Sequence, residues 1–511
     1  MTDSLTPGAA ERTGTSPLTV ARQAGGAGAA LVVGNVLRFV SAFFAAKALG
    51  LAGFGVYTLA NTITFFLRIP GSVGLSPGAL PFLSRARKDG SARGVRAVAR
   101  VSLTLAGAMS SVLAITVFVL AGRIANDVFK DPALEPALRL FAGLIVLGAL
   151  MSVMRSLMVG MGAIWQQEWL ERVLSVGATC GVLALAWIFG WGIEGAALAH
   201  YVGLGLALLG GVILLLPRLP RGQSGDIPTA LPSTLFSHSW PLMGTTMLGF
   251  MLLWSDVLFV GFFKDADAVG MYGAGARLAA AAIASQEALG PILLARAADH
   301  YVREEQAELA SLYKLAVRWA MWPGLVMASL LFVWAPELLA LFGEEFLGGV
   351  VPMRILLLGH MVATLTGMPG RMYSVTGLQR YHLFNMTLLL VGNVILNSLW
   401  IPRYGVAGAA AATATSLSVI RVVQTFQLRR LRGVFPWSRR TLRPVLSMLG
   451  LTAAAWFMRD LGSDYLWGFG WILTSLAFVA AAVGLVIAVD MRPEDRELIA
   501  ALRRRAGRSS S

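Results

Sequence analysis

Five charged residues stand isolated inside long apolar runs: Arg38, Arg68 and Arg277, with Asp256 and Glu287. An ionisable side chain at the centre of a membrane-spanning helix costs about 2.5–3.5 kcal/mol on insertion scales, so each is expected to face a bundle interior or a cavity. A guanidinium stays protonated and matches phosphate oxygens two at a time. Arg38, Arg68 and Arg277 are therefore the candidate substrate-binding residues, a clamp for a dense anion. Asp256 and Glu287 are the candidate ion-coupling residues, because a buried carboxylate can take up a proton or Na⁺ and release it again. The competing reading pairs these acids with the arginines in a purely structural role. Pro70 and Gly71 follow Arg68 directly and are the candidate hinge.

Other charges in apolar runs have simpler readings. Arg139 and Arg354 are expected to reach an interface along their own stems. Arg155, Arg371 and Arg421 fall toward the basic side of their runs, or else line a mouth opening there. His200, His238 and His360 are expected as interhelical hydrogen-bonders. Catalytic and metal-binding residues are expected to be absent: Cys180 is the only cysteine, and no G-x-x-x-x-G-K-[ST] phosphate loop occurs.

The surrounding sequence dictates what positions these groups. Apolar residues make up 56% of the 511, charged residues 14%, and mean hydropathy is +0.69, outside the balance of a water-soluble domain. Apolar runs of about twenty residues recur along nearly the whole chain, each long enough to cross the bilayer as a helix. The expected fold class is an all-α polytopic membrane protein of about fourteen spans. The expected organisation is a disordered lead over 1–24, a first lobe over 25–216 (spans one to six), a linker over 217–235 and a second lobe over 236–428 (spans seven to twelve). A basic loop over 429–443, two further spans over 444–489 and a basic tail over 490–511 complete it.

Net charge is +15, and it is one-sided. Arg85, Arg87, Lys88, Arg93, Arg96, Arg218, Arg221, Arg296, Arg303, Arg380, the Arg429–Arg443 cluster and the Arg503–Arg508 tail fall on one side; Arg123, Lys130, Lys264, Arg403 and Arg459 fall on the other. The positive-inside rule then places both termini in the cytoplasm and assigns the charge to membrane topology, with no nucleic-acid partner.

The halves repeat. Tyr57 and Tyr272, Arg139 and Arg354, and Gly162 and Gly377 each stand 215 residues apart, while WGIEGAALA and YGVAGAAAA place Gly192 and Gly405 213 apart. One register over that distance marks a parallel duplication, two lobes around a central cavity. The glycines of the repeated motif read as close-packing positions between helices.

LQRYHLFNMTLLLVGNVILNSLWIPRYGVAGAAAATATS, from Leu378 to Ser416, and LGLAGFGVYTLANTI, from Leu49 to Ile63, resemble the corresponding helices of Wzx-type polysaccharide (O-antigen, teichoic acid) flippases. That family belongs to the multidrug/oligosaccharidyl-lipid/polysaccharide exporter superfamily. The resemblance implies a V-shaped, alternating-access carrier in the bacterial cytoplasmic membrane, moving an isoprenoid-pyrophosphate-linked oligosaccharide outward without being an enzyme. Expected partners are that lipid-linked oligosaccharide, membrane lipids, and a polysaccharide polymerase with its glycosyltransferases. No cofactor is expected beyond a proton or sodium gradient or the membrane potential. A lipid II flippase is the nearest alternative, through LRIPGSVGLSPGALPFL. A multidrug cation antiporter conflicts with Arg38 standing where that branch carries an acid, and a glycan-modifying enzyme conflicts with the short, His-poor loops.

Overall fold

The computed structural model describes residues 17–222, 224, 231–437, 442–463 and 470–490. Among them there is no strand. The first half contains α1 (Pro17–Gly71), α2 (Leu75–Lys88), α3 (Ala92–Arg123), α4 (Leu134–Phe141), α5 (Gly143–Gly160), α6 (Ile164–Glu168), α7 (Val176–Phe189) and α8 (Gly192–Leu215). The second contains α9 (Leu231–Phe263), α10 (Ala266–Ala279), α11 (Ala284–Val302), α12 (Gln306–Val333), α13 (Ala335–Ala340), α14 (Val350–Thr366), α15 (Pro369–Val375) and α16 (Gln379–Arg432). Helices α17 (Leu442–Ser463) and α18 (Gly470–Asp490) follow.

Nine described helices are long and apolar enough to cross a membrane, ten if the bent pair Leu231–Leu252 and Trp254–Phe263 counts as one span. The protein is a multi-pass membrane protein. The expected count of fourteen is not reached on that measure, and two of the missing spans have one physical reason. α1 has 55 residues and α16 has 54; at 1.5 Å per residue a straight helix of that length would run about 80 Å, far beyond a bilayer. Each is instead turned at one glycine with non-helical geometry, Gly50 (φ 66°, ψ −177°) and Gly405 (φ 60°, ψ −140°). A Cβ added to Gly408 would lie 2.3 Å from the Trp400 carbonyl oxygen, so the two limbs of α16 touch just beyond the turn.

These turns correct the reading of the repeated glycines. Gly192 and Gly405 share φ values of 58° and 60°, and Gly162 and Gly377 share 78° and 74°. Added Cβ atoms there would meet nothing closer than 3.6 Å, so these glycines are retained for left-handed backbone. Close packing is carried by the next glycine of each motif, Gly195 against Ala186 and Gly408 against Trp400. Gly405→Ala is accordingly expected to destabilise the detergent-solubilised protein by about 1–3 kcal/mol. An unchanged melting temperature would mean that the hairpin forms without left-handed geometry.

Helices α1–α8 form one bundle and α9–α16 a second, with α17 and α18 packed on α12. Thr452 Oγ1 donates to Ser329 Oγ at 2.8 Å, Arg459 pairs with Glu337 at 2.6 Å, and the Arg354 guanidinium lies 4.3 Å from the Trp456 ring centroid. Arg354 thus stacks between Phe332 and Trp456. Its repeat counterpart Arg139 pairs with Glu135 and lies over Phe118. Two segments expected to be irregular are partly helical: α1 begins at Pro17, inside the 1–24 lead, and α16 continues to Arg432, inside the 429–443 loop. Residues 1–16, 438–441 and the 491–511 tail lie outside the described residues.

The two bundles meet along two seams. Toward the Gly50 turn, α1 packs on α10 so closely that a Cβ on Gly55 would lie 1.8 Å from the Ala266 carbonyl oxygen, and one on Gly270 2.5 Å from that of Leu51. Phe54 and Phe346 seal this end with ring centroids 5.6 Å apart. The second seam joins α2 to α9, with Gly74 and Gly78 against Ser239, and Phe65 stacks on Phe250 at 5.4 Å. Toward the opposite, Arg-rich end, α11 packs on α12 and α15 of its own bundle. Arg38 on α1 and Glu287 on α11 are both exposed there.

Candidate functional site

Arg68 and Arg277 come from different bundles and are brought to one place. The Arg277 guanidinium donates to Thr58 Oγ1 at 3.1 and 3.2 Å and lies 4.8 Å from the Phe54 ring centroid. The Arg68 guanidinium lies 5.2 Å from the Phe65 ring centroid. It fits only because residue 148 is glycine: a Cβ there would fall 2.2 Å from Arg68 Cδ and 2.4 Å from Nε. Arg68 Nε and Nη2 are sealed from solvent and have no hydrogen-bond partner. A buried guanidinium with idle donors is costly, and an incoming anion is a natural way to satisfy it.

Between these arginines lie two residues that sequence reasoning missed as site components. Tyr57 Oη and His200 Nε2 are 2.8 Å apart, their rings are stacked, and both feel the charges of Arg68 and Arg277. The place of Tyr57 in the repeat with Tyr272 was the available signal. Just after Arg68, Pro70 and Gly71 close α1, and residues 72–74 leave the helix before α2 begins. Val73 has φ 53° there, an unusual geometry for a β-branched residue and a store of local strain beside the proposed hinge.

Arg38 does not join this pair. It stands by the seven-residue π-helical stretch Trp169–Ser175 between α6 and α7, near Arg172, Glu168 and, from the other bundle, Glu287. Arg172 pairs with Glu168 at 2.5 Å, while Arg155 and Gln167 both donate to Glu171. Arg38 forms no ion pair among the described residues. The three expected clamp arginines therefore occupy two places, because α1 carries Arg38 on its limb before Gly50 and Arg68 on the limb after it.

Asp256 does not pair with an arginine, contrary to the structural alternative. Its buried carboxylate accepts from the Tyr272 hydroxyl, from the Val257 N–H at 2.9 Å and from Thr413 Oγ1 at 3.4 Å. Behind it Asn393 Nδ2 donates to Thr413 Oγ1 at 3.2 Å, Ser255 Oγ donates to Asn393 Oδ1 at 3.1 Å, and Asn397 Nδ2 donates to the same oxygen at 2.8 Å. Asn397 Oδ1 is buried and has no partner. Glu287 lies outside this network. Of the histidines, His200 has its Tyr57 bond, His238 meets Phe82 edge-on, and the buried Nδ1 of His360 has no hydrogen-bond partner.

Residues 23–286, just over half of the chain, match the family described as polysaccharide biosynthesis protein. The chain belongs to that family. It is similar to the probable low-salt glycan biosynthesis flippase Agl15 of Haloferax volcanii, 25% identical over 408 residues that cover 78% of this chain and 81% of the relative. Among solved structures, the lipid II flippase MurJ in an inward closed conformation superposes with a TM-score of 0.73 at 14% identity, covering 92% of this chain and 98% of that one. An inward-facing multidrug resistance MATE transporter of the MOP superfamily gives 0.64 at 16% identity, covering 77% and 94%. At such identities these two establish the fold, that of a MOP transporter.

Proposed function

We propose that the protein flips an isoprenoid-pyrophosphate-linked oligosaccharide across the cytoplasmic membrane by alternating access, with the Arg-rich end facing the cytoplasm. The observation that carries this reading is the half-buried pair Arg68 and Arg277 at the meeting of the bundles, one of them with sealed, idle donors. Gly55 and Phe54 close the bundles at the Gly50 end, and the exposed Arg38 and Glu287 mark the proposed entry toward the Arg-rich end. A lipid-linked anion entering there meets the clamp at the seam. The isoprenoid chain stays in the bilayer, and rocking of the bundles then exposes the head group on the outer side. The family match and the relative named for glycan flipping support the substrate class. Reconstitution in liposomes carrying a fluorescent isoprenyl-pyrophosphoryl oligosaccharide is the test: expected is protein-dependent passage between leaflets, and equal rates with empty liposomes would overturn the reading.

Coupling is assigned to Asp256. Its carboxylate, together with Asn393 and the idle Asn397 oxygen, makes an oxygen-rich nest that suits a proton or Na⁺. The nest joins α9, α10 and both limbs of α16, so occupancy would bias how these helices sit against one another. Asp256→Asn keeps the shape and removes the charge. Expected is a flipping rate that no longer responds to an imposed pH or Na⁺ gradient and falls by about tenfold or more, the scale of one lost charged hydrogen bond. Undiminished gradient stimulation in the variant would exclude Asp256.

A further inference from the structure

One helix of the second bundle is broken where its counterpart in the first is not. α14 stops at Thr366, Gly367 takes φ 76° and ψ −142°, and α15 restarts at Pro369. One repeat of 215 residues earlier stands Ser152, inside the uninterrupted helix α5. Glycine is required at the break, because the backbone is left-handed there and a Cβ would lie 2.4 Å from Val317 Cγ2.

A break takes the last carbonyls of a helix out of helical pairing, and within a bilayer other groups must satisfy them. Side chains from three helices reach this one. Tyr313 Oη of α12 and Thr425 Oγ1 of α16 each donate to the Thr366 oxygen at 3.4 Å, and Gln286 Nε2 of α11 donates to the Ala363 oxygen at 3.1 Å. The shortest bond comes from outside the duplicated lobes: Trp437 Nε1 donates to the Leu365 oxygen at 2.7 Å.

Trp437 ends the segment 433–437, which is itself well anchored. Val434 and Pro436 are buried, and the Phe435 ring centroid lies 5.9 Å from that of Phe426, 5.2 Å from that of Trp437 and 4.8 Å from the Arg429 guanidinium. Four residues then lead to Leu442, where α17 begins, a tether of about 18 Å at full stretch. The helix pair that lies outside the repeat is thus tied to the break that the repeat does not share.

We propose that α15 is a hinged flap that turns about Gly367 at the Arg-rich end of the second bundle, and that segment 433–437 is the strap holding it, with Trp437 as the latch. The far end of α15 is fastened within its own lobe, where Tyr301 Oη and Arg432 donate to the Thr376 oxygen. The latch is the bond that a shift of α17 against α12 would pull. Arg371, which lies against Gly290 of α11, moves with the flap.

Hydrogen exchange of the purified full chain in lipid nanodiscs tests this without any substrate, so the result is independent of the flippase reading. Trp437→Phe keeps the ring and removes the donor. Expected is faster exchange of residues 367–376 by about tenfold, the scale of one lost hydrogen bond, with α5 residues 149–156 unchanged. Thr452→Val, which frees α17 from Ser329 on α12, should also quicken 367–376 in the parent and add nothing in the Trp437→Phe background. Unchanged exchange at 367–376 in Trp437→Phe, or equal quickening of α5, would overturn the strap. An equal added effect of Thr452→Val in both backgrounds would show that α17 does not act through Trp437 and would overturn the latch.

Discussion

Arg68→Ala is expected to abolish flipping, a fall of at least about a hundredfold, while the protein stays in the membrane at its usual level. The size follows from a bidentate charge-assisted contact, each of whose two hydrogen bonds is worth about 1.5–3 kcal/mol. What separates this from a general folding defect is the state of Arg68 without ligand. Its Nε and Nη2 have no partner, so truncation relieves a buried unsatisfied cation. Thermal stability should therefore be unchanged or higher even as activity disappears. Arg68→Lys keeps the charge and loses the fork, and should recover only a small part of the rate. Gly148→Ala reaches the same site from the opposite wall, because its methyl would occupy the space of Arg68 Cδ. Arg277 differs in having Thr58 and Phe54 as partners, so Arg277→Ala should cost activity and also loosen the seam. Complementation of a flippase-deficient strain, with immunoblots of the membrane fraction, checks the set; full activity of Arg68→Ala would remove the clamp.

The second large effect concerns the seam itself. Gly55→Val is expected to stop transport by preventing the Gly50 end from closing. A Cβ on residue 55 would sit 1.8 Å from the Ala266 carbonyl oxygen, a backbone atom that cannot swing aside, so the bundles must part by several tenths of an ångström or more. That pushes the population away from the arrangement described here. Cys180 is the only native cysteine and is buried, so an introduced Val269→Cys beside the seam gives a clean reporter. In the parent background it should resist a membrane-impermeant thiol reagent added on the outer side; with Gly55→Val it should react readily. Protection in both backgrounds would show that the seam accommodates the added bulk.

The proposed clamp was partly legible because hydrocarbon makes charge expensive: Arg68 and Arg277 were conspicuous among apolar neighbours, and the structure does bring them together. Arg38 was equally conspicuous and lies elsewhere. Depth along a helix can be counted in residues, whereas the neighbour a side chain meets depends on how α1 turns at Gly50 and which helix rotates toward it. Asp256 shows the same limit. Its cost was readable, but its surroundings are assembled from α9, α10 and α16, elements more than a hundred residues apart in part. Asn393 and Asn397 fall inside the stretch that carries the family resemblance and Tyr57 inside the repeat, and neither pattern marks them as neighbours of a site.

By itself the sequence determined the all-helical membrane fold, the duplicated register and the family, since a bilayer demands apolar runs of a set length and left-handed turns demand glycine at matching places. Tertiary structure decided which charges share a site, which stand without partners and how closely the bundles meet at the Gly50 end. Those outcomes depend on helix rotation and on approaches a few ångströms wide, such as Gly148 making room for Arg68, that a linear pattern does not encode.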